Sequence, residues 1–362
     1  MLEMQDEQNR PSVSIVILNY NGKSCLQECL SSVLKTNYPN FEVILVDNAS
    51  KDNSLKTAQA VFGADPRLKI VNSRVNVGFS GGNNIGFTYS LGKYIVFLNN
   101  DTIVDSDWLA TLVNAMQNDP SIGLAQSMIL NIGGDKIQTA GWLFSNYLIH
   151  KYQLCKDKPS NTKFQPVFEV SFVCGACMMI SRKVAEEMGL FDPKMPFFYD
   201  DTLLSLKTWL AQKRVVTVSE SKIRHIGGAT NVWNIKFTRY HLLKSNICLL
   251  FDIYPKLTDL SKALLINCIF ISTDSMFCMR KKDVDTIAGT IHALTWSLKN
   301  FRYLWQNKLD HWSRTGVSSE KLKDKFVRVK LPVHFYLLPS KMGRDYLADE
   351  VNKYENKICK EP

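Results

Sequence analysis

The sequence VSIVILNYNG, residues 13–22, decides the fold. Its largely apolar first part, Val13–Leu18, predicts a buried strand, and the polar cluster Asn19–Gly22 predicts a tight turn after it. Residues from about 24 to 34 then place apolar side chains on one face at helical spacing, which predicts a helix. A buried strand, a turn and an amphipathic helix together indicate the first unit of an α/β fold.

Similar strand and turn signals recur up to residue 101. The predicted features are a strand at Phe41–Val46, a helix-capping cluster at Asp47–Ser50, a strand at Leu68–Val71, a glycine-rich loop over residues 76–84 that leads into a helix, and a strand at Tyr94–Leu98. This rhythm predicts a parallel sheet with helices on both faces. Ligands of such sheets bind beyond the carboxyl ends of the strands, so the turns after the first, second and fourth strands mark the candidate site.

The rest of the chain divides into two regions. The predicted elements are a core strand at Phe168–Ile180, helices at Arg182–Met188 and Thr202–Gln212, a strand at Arg214–Val218, and helices at Tyr240–Tyr254, Leu260–Met279 and Ile287–Trp305. The change in character near residue 231 predicts an α/β domain over residues 1–230 and a mainly helical, basic extension over residues 231–362.

The segment Leu260–Met279 has the length of a membrane span. Lys262 and Asp274 interrupt it, so we expect a helix that packs in the protein or lies at a membrane interface. The tail from Arg280 is rich in lysine with repeated aromatic residues. That composition is typical of a surface that contacts a bilayer or of a plain solvated face.

Charge and cysteine content narrow the class of protein. The 362 residues carry a net charge of +10, which suits nucleotide phosphates, anionic lipid headgroups or nucleic acid without choosing among them. Met1–Arg10 lacks the pattern of a signal peptide, and the nine cysteines are scattered, so we expect reduced thiols in the cytosol. Cys174 and Cys177 form a CxxC inside an apolar run, which favours buried structural thiols over a redox or metal role.

Four polar positions are candidates for chemistry. Asp101 follows a buried strand and could hold Mg²⁺ or Mn²⁺ together with diphosphate oxygens, or simply form a turn. Asp47 could accept a hydrogen bond from a pyrimidine imide N–H or cap a helix. The adjacent acids Asp200-Asp201 could include a general base with a raised pKa, or only favour a helix N-terminus. His225 could be a metal ligand or a structural histidine.

The order of these blocks resembles a known family. The resemblance rests on residues 13–22, 46–54, 76–86, 98–102, 175–178, 189–192 and 199–201. They are similar to successive blocks of family 2 glycosyltransferases, with the rhamnosyltransferase-like subgroup nearest, over about residues 12–230. The resemblance implies a GT-A type fold, in which a Rossmann-like nucleotide-sugar-binding domain has a mixed, mostly parallel sheet. It also implies inversion at the anomeric carbon and a Mn²⁺ or Mg²⁺ ion.

The resemblance also assigns roles residue by residue. Asp101 matches the metal-binding acid of the family's DxD-type motif, Asp201 matches the catalytic base, and His225 matches a histidine that binds the metal in some members. The residues implied to bind the donor are Asn19, Tyr20, Asn21, Asp47, Arg74, Asn76, Gly78, Asn99, Asn100 and Asp101. Asn99 and Asn100 replace acids of the motif, Asp200 replaces a glutamate before the base, and Leu203 replaces a further acid. These last two departures affect contacts with the acceptor.

The expected activity is transfer of a sugar from a nucleotide-diphosphate donor, dTDP-rhamnose or a UDP-sugar, to a saccharide or lipid-linked saccharide. The expected place is the cytoplasm, at the inner face of the cell membrane, in the synthesis of cell-surface glycans. A non-catalytic sugar-nucleotide-binding protein is the first alternative. A nucleotidyltransferase is the second, although the turn Asn19–Gly22 is not built for a triphosphate. Nucleic-acid binding rests on net charge alone and is not expected, and the oligomeric state is not readable.

Overall fold

The computed structural model describes residues 12–227, 234–315, 318–329 and 341–359. The strands are β1 (Val13–Asn19), β2 (Phe41–Asp47), β3 (Leu68–Asn72), β4 (Tyr94–Asn99), β5 (Thr102–Val104), β6 (Ile122–Asn131), β7 (Ile137–Thr139), β8 (Trp142–Ser145), β9 (Lys151–Gln153), β10 (Val167–Glu169), β11 (Cys177–Ser181), β12 (Arg214–His225) and β13 (Val327–Val329). The α-helices are α1 (Leu26–Leu34), α2 (Ser54–Phe62), α3 (Gly78–Thr88), α4 (Trp108–Asn118), α5 (Arg182–Met188), α6 (Asp200–Leu210), α7 (Ile235–Ile253), α8 (Leu257–Arg280), α9 (Val284–Lys299), α10 (Phe301–Ser313), α11 (Ser319–Phe326) and α12 (Lys341–Ile358).

The main sheet is mixed, with the order β10-β12-β6-β11-β4-β1-β2-β3. Its consecutive strands β4, β1, β2 and β3 are parallel, whereas β11 runs antiparallel to both β4 and β6. The short strands β5 and β7 pair with β12 and β6, and β13, β8 and β9 form a second small sheet. The predicted α/β class, with a mixed sheet and a helical C-terminal region, is confirmed.

Successive side chains of β1 serve two cores because they point to opposite faces of the sheet. Ile15 and Ile17 pack with helices α1 and α4 on one face. Val16 packs on the other face, in a cluster that continues through α6 to Leu249 and Leu250 of α7. The helical C-terminal region therefore shares a hydrophobic core with the α/β region.

The glycine-rich segment predicted as a loop over residues 76–84 is largely helical, because α3 begins at Gly78. Its glycines serve close packing. A Cβ on Gly86 would lie 2.2 Å from Val16 Cγ1, and one on Gly82 would lie 2.3 Å from Leu18 Cδ1. The absence of side chains lets α3 lie directly on β1, which carries the first candidate residues at its carboxyl end.

We expect Gly86→Ala to destabilise the fold by about 1–3 kcal/mol because the new methyl group overpacks the contact with Val16. Urea denaturation of the variant measures the free energy of unfolding. Thr88→Ala, at an exposed position of the same helix, is the matched control and should change stability by no more than about 0.5 kcal/mol. Equal stabilities for Gly86→Ala and the control would contradict the close approach of α3 to β1.

The predicted core strand Phe168–Ile180 is wrong, because the structure has two short strands there, β10 and β11. β10 lies at the edge of the main sheet and β11 lies three positions further in. The chain between them must cover about 14 Å across the sheet at the usual strand spacing. Residues 170–176 make this crossing through the core, so their apolar run looks like a strand in the sequence.

The predicted helix Ile287–Trp305 is also wrong in its length. The structure has two helices, α9 and α10, that meet at Asn300. The side chain of Asn300 donates from Nδ2 to the carbonyl oxygen of Trp296 at 2.8 Å, which satisfies one of the last acceptors of α9. Met1–Arg10, the segment from Gly228 to Thr230 and the predicted domain boundary after residue 230 lie outside the described residues, so the boundary stays a prediction.

Candidate active site

The carboxyl ends of β1, β2 and β4 meet at Asn19. Asn19 is fully buried, and its Nδ2 donates to Asp47 Oδ1 at 3.0 Å and to Ser54 Oγ at 2.9 Å. Its Oδ1 accepts from Asn100 Nδ2 at 2.9 Å. A Cβ on Gly22 would lie 2.3 Å from both Asn100 Nδ2 and Asn19 Oδ1, so only glycine leaves room for this bond. Asn19 and Asn100 therefore brace the site, with their amides committed to protein partners.

Asp47 does not cap the following helix, so that interpretation is wrong. The residue before α2 is Asn53, whose side chain makes no capping hydrogen bond. Asp47 is only 5% exposed and accepts through Oδ2 from the amide of Ser50 at 3.1 Å. Each carboxylate oxygen thus has one protein donor and keeps acceptor capacity for a ligand.

The loop after β1 forms the open side of this pocket. Tyr20 is 39% exposed, and Asn21 has a positive φ of 51°. The amide of Asn21 donates to Ser50 Oγ at 3.0 Å, and its Oδ1 accepts from the amide of Lys51 at 2.8 Å. These bonds hold the loops after β1 and β2 side by side, with the Tyr20 side chain free at their surface.

Asn48 ties the loop before α3 to the same edge. Its Nδ2 donates to Asn76 Oδ1 at 2.9 Å and to the carbonyl oxygen of Gly78 at 3.1 Å. Its Oδ1 accepts from the amide of Val77 at 2.9 Å. Asn76 and Gly78 are therefore fixed beside Asp47. Arg74 is exposed in the same loop and makes no ion pair with a described residue.

Asp101 faces His225 across neighbouring strands. Asp101 follows β4, and β5 begins at the next residue, Thr102, which pairs with His225 of β12. This register places Asp101 Oδ1 3.1 Å from His225 Nε2, and both side chains are nearly buried. The other ring nitrogen, Nδ1, lies 3.1 Å from Gln138 Oε1. With the Nδ1 hydrogen assigned to that bond, the Nε2 lone pair points toward the carboxylate.

These donors fit a divalent cation. Two acceptor atoms this close repel each other unless a proton or a metal ion lies between them. Two ligands at about 2.1 Å on neighbouring corners of an octahedron lie about 3.0 Å apart, close to the distance between Asp101 Oδ1 and His225 Nε2. Among the described residues, no group of three or more His, Cys, Asp and Glu could hold a metal. Further ligands would thus come from a bound molecule and water, as is usual where Mg²⁺ or Mn²⁺ binds a diphosphate.

Asp200 and Asp201 lie at the same edge of the sheet, at the start of α6. The amide of Gly175 donates to Asp201 Oδ2 at 3.3 Å. Two residues later, Cys177 begins β11 and pairs with Leu98 at the carboxyl end of β4. Asp201 Oδ1 also accepts from the amide of Thr202 at 2.7 Å. The crossing segment before β11 thus brings the two acids next to Asn99–Asp101.

The two acids differ in their electrostatic surroundings. Burial, and then the charge of Asp201, raise the pKa of Asp200 to about 7. Burial also raises the pKa of Asp201, but the Lys151 ammonium and the donors of Thr202 oppose that rise. Near neutral pH, Asp201 is therefore the ionised member of the pair and Asp200 is the member that holds the proton.

The raised pKa of Asp200 predicts a stability that depends on pH. Below about pH 4 this carboxyl is protonated in both states. Between about pH 4 and 7 the unfolded chain loses the proton that the folded chain keeps, so stability falls as pH rises. Asparagine does not titrate, so Asp200→Asn lacks this pH dependence. The free energy of unfolding of the variant, relative to that of the native protein, should therefore increase across this range by up to about 4 kcal/mol. Urea denaturation at pH 4 and pH 8 measures it, and a constant difference would contradict the buried environment of Asp200.

The helices of the C-terminal region hold the loop that leads to these acids. Tyr199, directly before Asp200, donates its hydroxyl to buried Asp252 of α7. The other oxygen of Asp252 lies 3.0 Å from His311 Nδ1 of α10. At the start of the same loop, Tyr303 of α10 donates its hydroxyl to Asp192. Helices α7 and α10 therefore fix the loop at both of its ends.

Sequence reasoning missed Asn48, Gln138, Lys151 and Asp252. Asn48 lies inside the quoted block Asp47–Ser50, where its proximity to the other site residues was a usable signal. Gln138 and Lys151 belong to short strands without a motif, and their partners at the site, His225 and Asp201, are distant in sequence. Asp252 lies in an apolar helix, where a lone carboxylate is a signal for a buried partner.

Parts of this chain are similar in sequence to known proteins. A family model described as Glycosyl transferase family 2 matches residues 14–189. An uncharacterized glycosyltransferase of Haemophilus influenzae is 28% identical over 150 residues, which are 40% of this chain and 46% of that protein. The O-antigen biosynthesis protein RfbC of Myxococcus xanthus is 29% identical over 227 residues, 59% of this chain and 17% of that protein. This chain spans less than half the length of either relative.

Solved structures show the same fold. GalNAc-T7 in complex with UDP, GalNAc and Mn²⁺ superposes with a TM-score of 0.55 at 20% identity, covering 67% of this chain and 48% of that one. Residues 1–349 of Staphylococcus aureus TarS with UDP-GlcNAc superpose with a TM-score of 0.55 at 14% identity, covering 83% of this chain and 89% of that one. At these identities the likeness shows a GT-A-like fold alone. The family match covers residues 14–189, so this part of the chain is similar to glycosyl transferase family 2.

Proposed function

We propose that this chain is an inverting, metal-dependent glycosyltransferase that moves a sugar from a nucleotide-diphosphate donor to an acceptor hydroxyl. The observation that carries the proposal is the pairing of Asp101 Oδ1 with His225 Nε2 at 3.1 Å. This pair lies at the sheet edge that also holds the pocket around Asp47 and the acids Asp200 and Asp201. A donor pocket, a cation site and a base thus converge on one edge.

The donor side is built for a pyrimidine nucleotide. The carboxylate of Asp47 can accept the imide N–H that both uracil and thymine carry, with Tyr20 and Asn21 at the pocket's open side. Asn76, Gly78 and the exposed Arg74 follow along the same edge, where the sugar and diphosphate of the donor would extend. Asp101 and His225 would hold a Mn²⁺ or Mg²⁺ ion, which neutralises the charge that develops on the leaving diphosphate.

On the acceptor side, Asp201 is the proposed base. In its ionised state it takes the proton from the acceptor hydroxyl as that oxygen attacks the anomeric carbon from the face opposite the diphosphate. The raised pKa of Asp201 makes it a stronger base than an exposed aspartate. Asp200, protonated near neutral pH, can donate a hydrogen bond to the acceptor. Binding both substrates in line supplies a large part of the rate by positioning.

The finer identity of the substrates is part of the proposal. RfbC is named for O-antigen biosynthesis, and TarS was solved with UDP-GlcNAc. The likeness to TarS supports a UDP-sugar as donor, and the likeness to RfbC supports a saccharide as acceptor. The alternatives of dTDP-rhamnose as donor and a lipid-linked saccharide as acceptor rest on the resemblance to the rhamnosyltransferase-like subgroup and on the basic C-terminal helices. We place the enzyme in the cytoplasm, at the inner face of the membrane, in the synthesis of a cell-surface polysaccharide.

A non-catalytic protein that only binds sugar nucleotides is the second candidate, because Asp200 and Leu203 depart from the acids expected there. A nucleotidyltransferase has less support. In the turn after β1 the backbone amides of Asn21 and Lys23 already donate to Ser50 Oγ and Asp52 Oδ2, so they do not form a cradle for a triphosphate.

Donor hydrolysis tests the proposal. The purified chain is incubated with a panel of nucleotide sugars and Mn²⁺ or Mg²⁺, with and without EDTA, and release of nucleoside diphosphate is followed. The expected result is release from one donor that EDTA and Asp101→Ala both abolish. Donor binding without turnover, even with acceptors added, would favour the non-catalytic protein. No donor binding at all would overturn the proposed function.

A further inference from the structure

Helices α8 and α9 form a hairpin with a large apolar surface open to solvent. Among the described residues, α8 is the one helix long and apolar enough to cross a membrane, yet only 28% of its most apolar stretch is buried. A core helix of a soluble protein would be mostly buried. The exposed apolar residues of the hairpin are Leu257, Leu265, Ile269, Met276, Phe277, Met279, Val284, Ile291, Leu294 and Leu298. Most of them recur at intervals of three, four or seven residues, so they lie along one face of each helix and are not scattered singly.

The opposite side of the hairpin is fixed to α7. A Cβ on Gly289 would lie 2.6 Å from the carbonyl oxygen of Lys236, so α9 lies directly on the first turn of α7. Arg239 of α7 donates to Thr290 Oγ1 at 2.9 Å and pairs with Asp274 of α8 at 2.6 Å. The apolar surface is therefore the outward side of a hairpin held in one orientation.

Basic residues lie at both ends of this surface. Arg280, Lys281 and Lys282 are at the turn between the helices, and Lys299 and Arg302 are at the other end. None of the five forms an ion pair with a described residue. Three acids of the hairpin have partners: Asp259 pairs with Lys323, Asp274 pairs with Arg239, and Asp283 caps α9. The exposed Asp285 is the remaining acid, against five basic residues. The rim of the apolar surface is thus positive.

The apolar surface and its positive rim together indicate what binds to the hairpin. An apolar surface with a positive rim complements a bilayer of anionic lipids, in which apolar side chains enter the acyl boundary and lysine and arginine reach the headgroups. A second copy of this chain on a two-fold axis would bring the same positive rim against itself. The charge therefore favours lipid over self-association.

The hairpin is also connected to the proposed acceptor site through α7. Phe197 and Phe198 stand in the loop before Asp200 and pack against His241 of α7, with ring centroids 5.6 and 6.4 Å away. Phe237, on the first turns of α7, lies 5.7 Å from Phe197. The aromatic loop before the acids and the apolar hairpin therefore rest on the same end of one helix.

We propose that the hairpin of α8 and α9 docks this chain on an anionic lipid bilayer, with the proposed acceptor site facing the interface. Docking stands on the hairpin alone. The statement that the docked enzyme receives a lipid-linked acceptor rests on the proposed function.

Vesicle sedimentation tests the docking. The full chain is mixed at physiological salt with vesicles of phosphatidylglycerol and phosphatidylcholine, or of phosphatidylcholine alone. We expect association with the anionic vesicles only. Leu298→Glu and Phe277→Glu should each lower the partition coefficient at least about tenfold, because each removes an exposed apolar side chain that would enter the bilayer and adds a charge that anionic lipid repels. Lys281→Ala and Lys282→Ala should each lower it about fivefold.

Leu91→Glu is the matched control. Leu91 is 82% exposed and precedes β4, so it lies at the amino ends of the parallel strands, away from the site. This variant should bind vesicles as the native chain does. Equal losses in Leu91→Glu and Leu298→Glu, or no preference for anionic vesicles, would overturn the proposal. A dimer that Leu298→Glu dissociates, without vesicle binding, would overturn it in favour of a second copy.

Donor hydrolysis without vesicles separates this proposal from the proposed function. We expect Leu298→Glu to hydrolyse donor at the native rate while failing to sediment. Vesicle binding by a chain that hydrolyses no donor would support docking and refute the enzymatic proposal. Donor hydrolysis by a chain that binds no vesicles would refute docking alone.

Discussion

Asp201→Asn is expected to lower the rate of sugar transfer about 100- to 10,000-fold, because the amide cannot accept the proton of the acceptor hydroxyl. Donor affinity should change little, since Asp201 lies at the start of α6 and not in the pocket around Asp47. The two measurements are kcat with acceptor present and the dissociation constant of the nucleoside diphosphate by calorimetry. Loss of kcat with an unchanged dissociation constant would identify a group that acts in the chemical step.

Asp200→Asn is the internal comparison for this prediction. Asp200 still holds its proton in the pH range where Asp201 ionises, so asparagine at position 200 leaves the charge around Asp201 unchanged, and the acid limb of the rate profile should stay at its native pH. The loss of kcat should be smaller than for Asp201→Asn. A larger loss in Asp200→Asn would assign the base to Asp200 and contradict the division of roles drawn from their surroundings.

Asp101→Ala is expected to lower the rates of both donor hydrolysis and sugar transfer at least about 100-fold, because it removes the carboxylate that would hold the cation. Binding of Mn²⁺ in the presence of UDP, followed by electron paramagnetic resonance, gives a readout that does not depend on turnover. The variant should lose the signal of bound Mn²⁺. Asp105→Ala, an exposed acid four residues further on, makes the same change in charge and should keep it.

Gln138→Leu extends this test to the side chain that holds the proposed metal ligand His225. Gln138 Oε1 fixes the ring of His225 through Nδ1, and loss of such a partner lowers metal affinity about 10- to 100-fold. The affinity for Mn²⁺ should fall by that factor while binding of UDP without metal stays unchanged. Native affinity in this variant would show that His225 is not a ligand and has a structural role.

Local patterns predicted the parts of the fold and site that are contiguous in sequence. The turns after β1, β2 and β4 could be placed at one edge because parallel strands bring their carboxyl ends together. The pairing of Asp101 with His225 was implied by family resemblance only, since it depends on the register of β5 on β12. The glycines of α3 predict a loop because the sequence does not show that Val16 and Leu18 pack against that segment as a helix.

The remaining differences have a common physical origin. The crossing over residues 170–176 is apolar because it passes through the core, so its pattern alone cannot be told from that of a strand. Gln138, Lys151 and Asp252 reach the site through contacts with residues far away in sequence. Only the folded chain reveals them, because their local sequences match those of ordinary strands and helices.

The bond from Tyr199 to Asp252, completed by His311, has a consequence for synthesis of the chain on the ribosome. His311 is made about 110 residues after Tyr199. At about 5–20 residues per second, that delay is on the order of ten seconds. Throughout this interval the parallel strands are already synthesised, but the anchor of the loop before Asp200 is incomplete. The nascent chain can thus assemble the pocket around Asp47 early, whereas the loop that carries the proposed base is fully held only when α10 has left the ribosome.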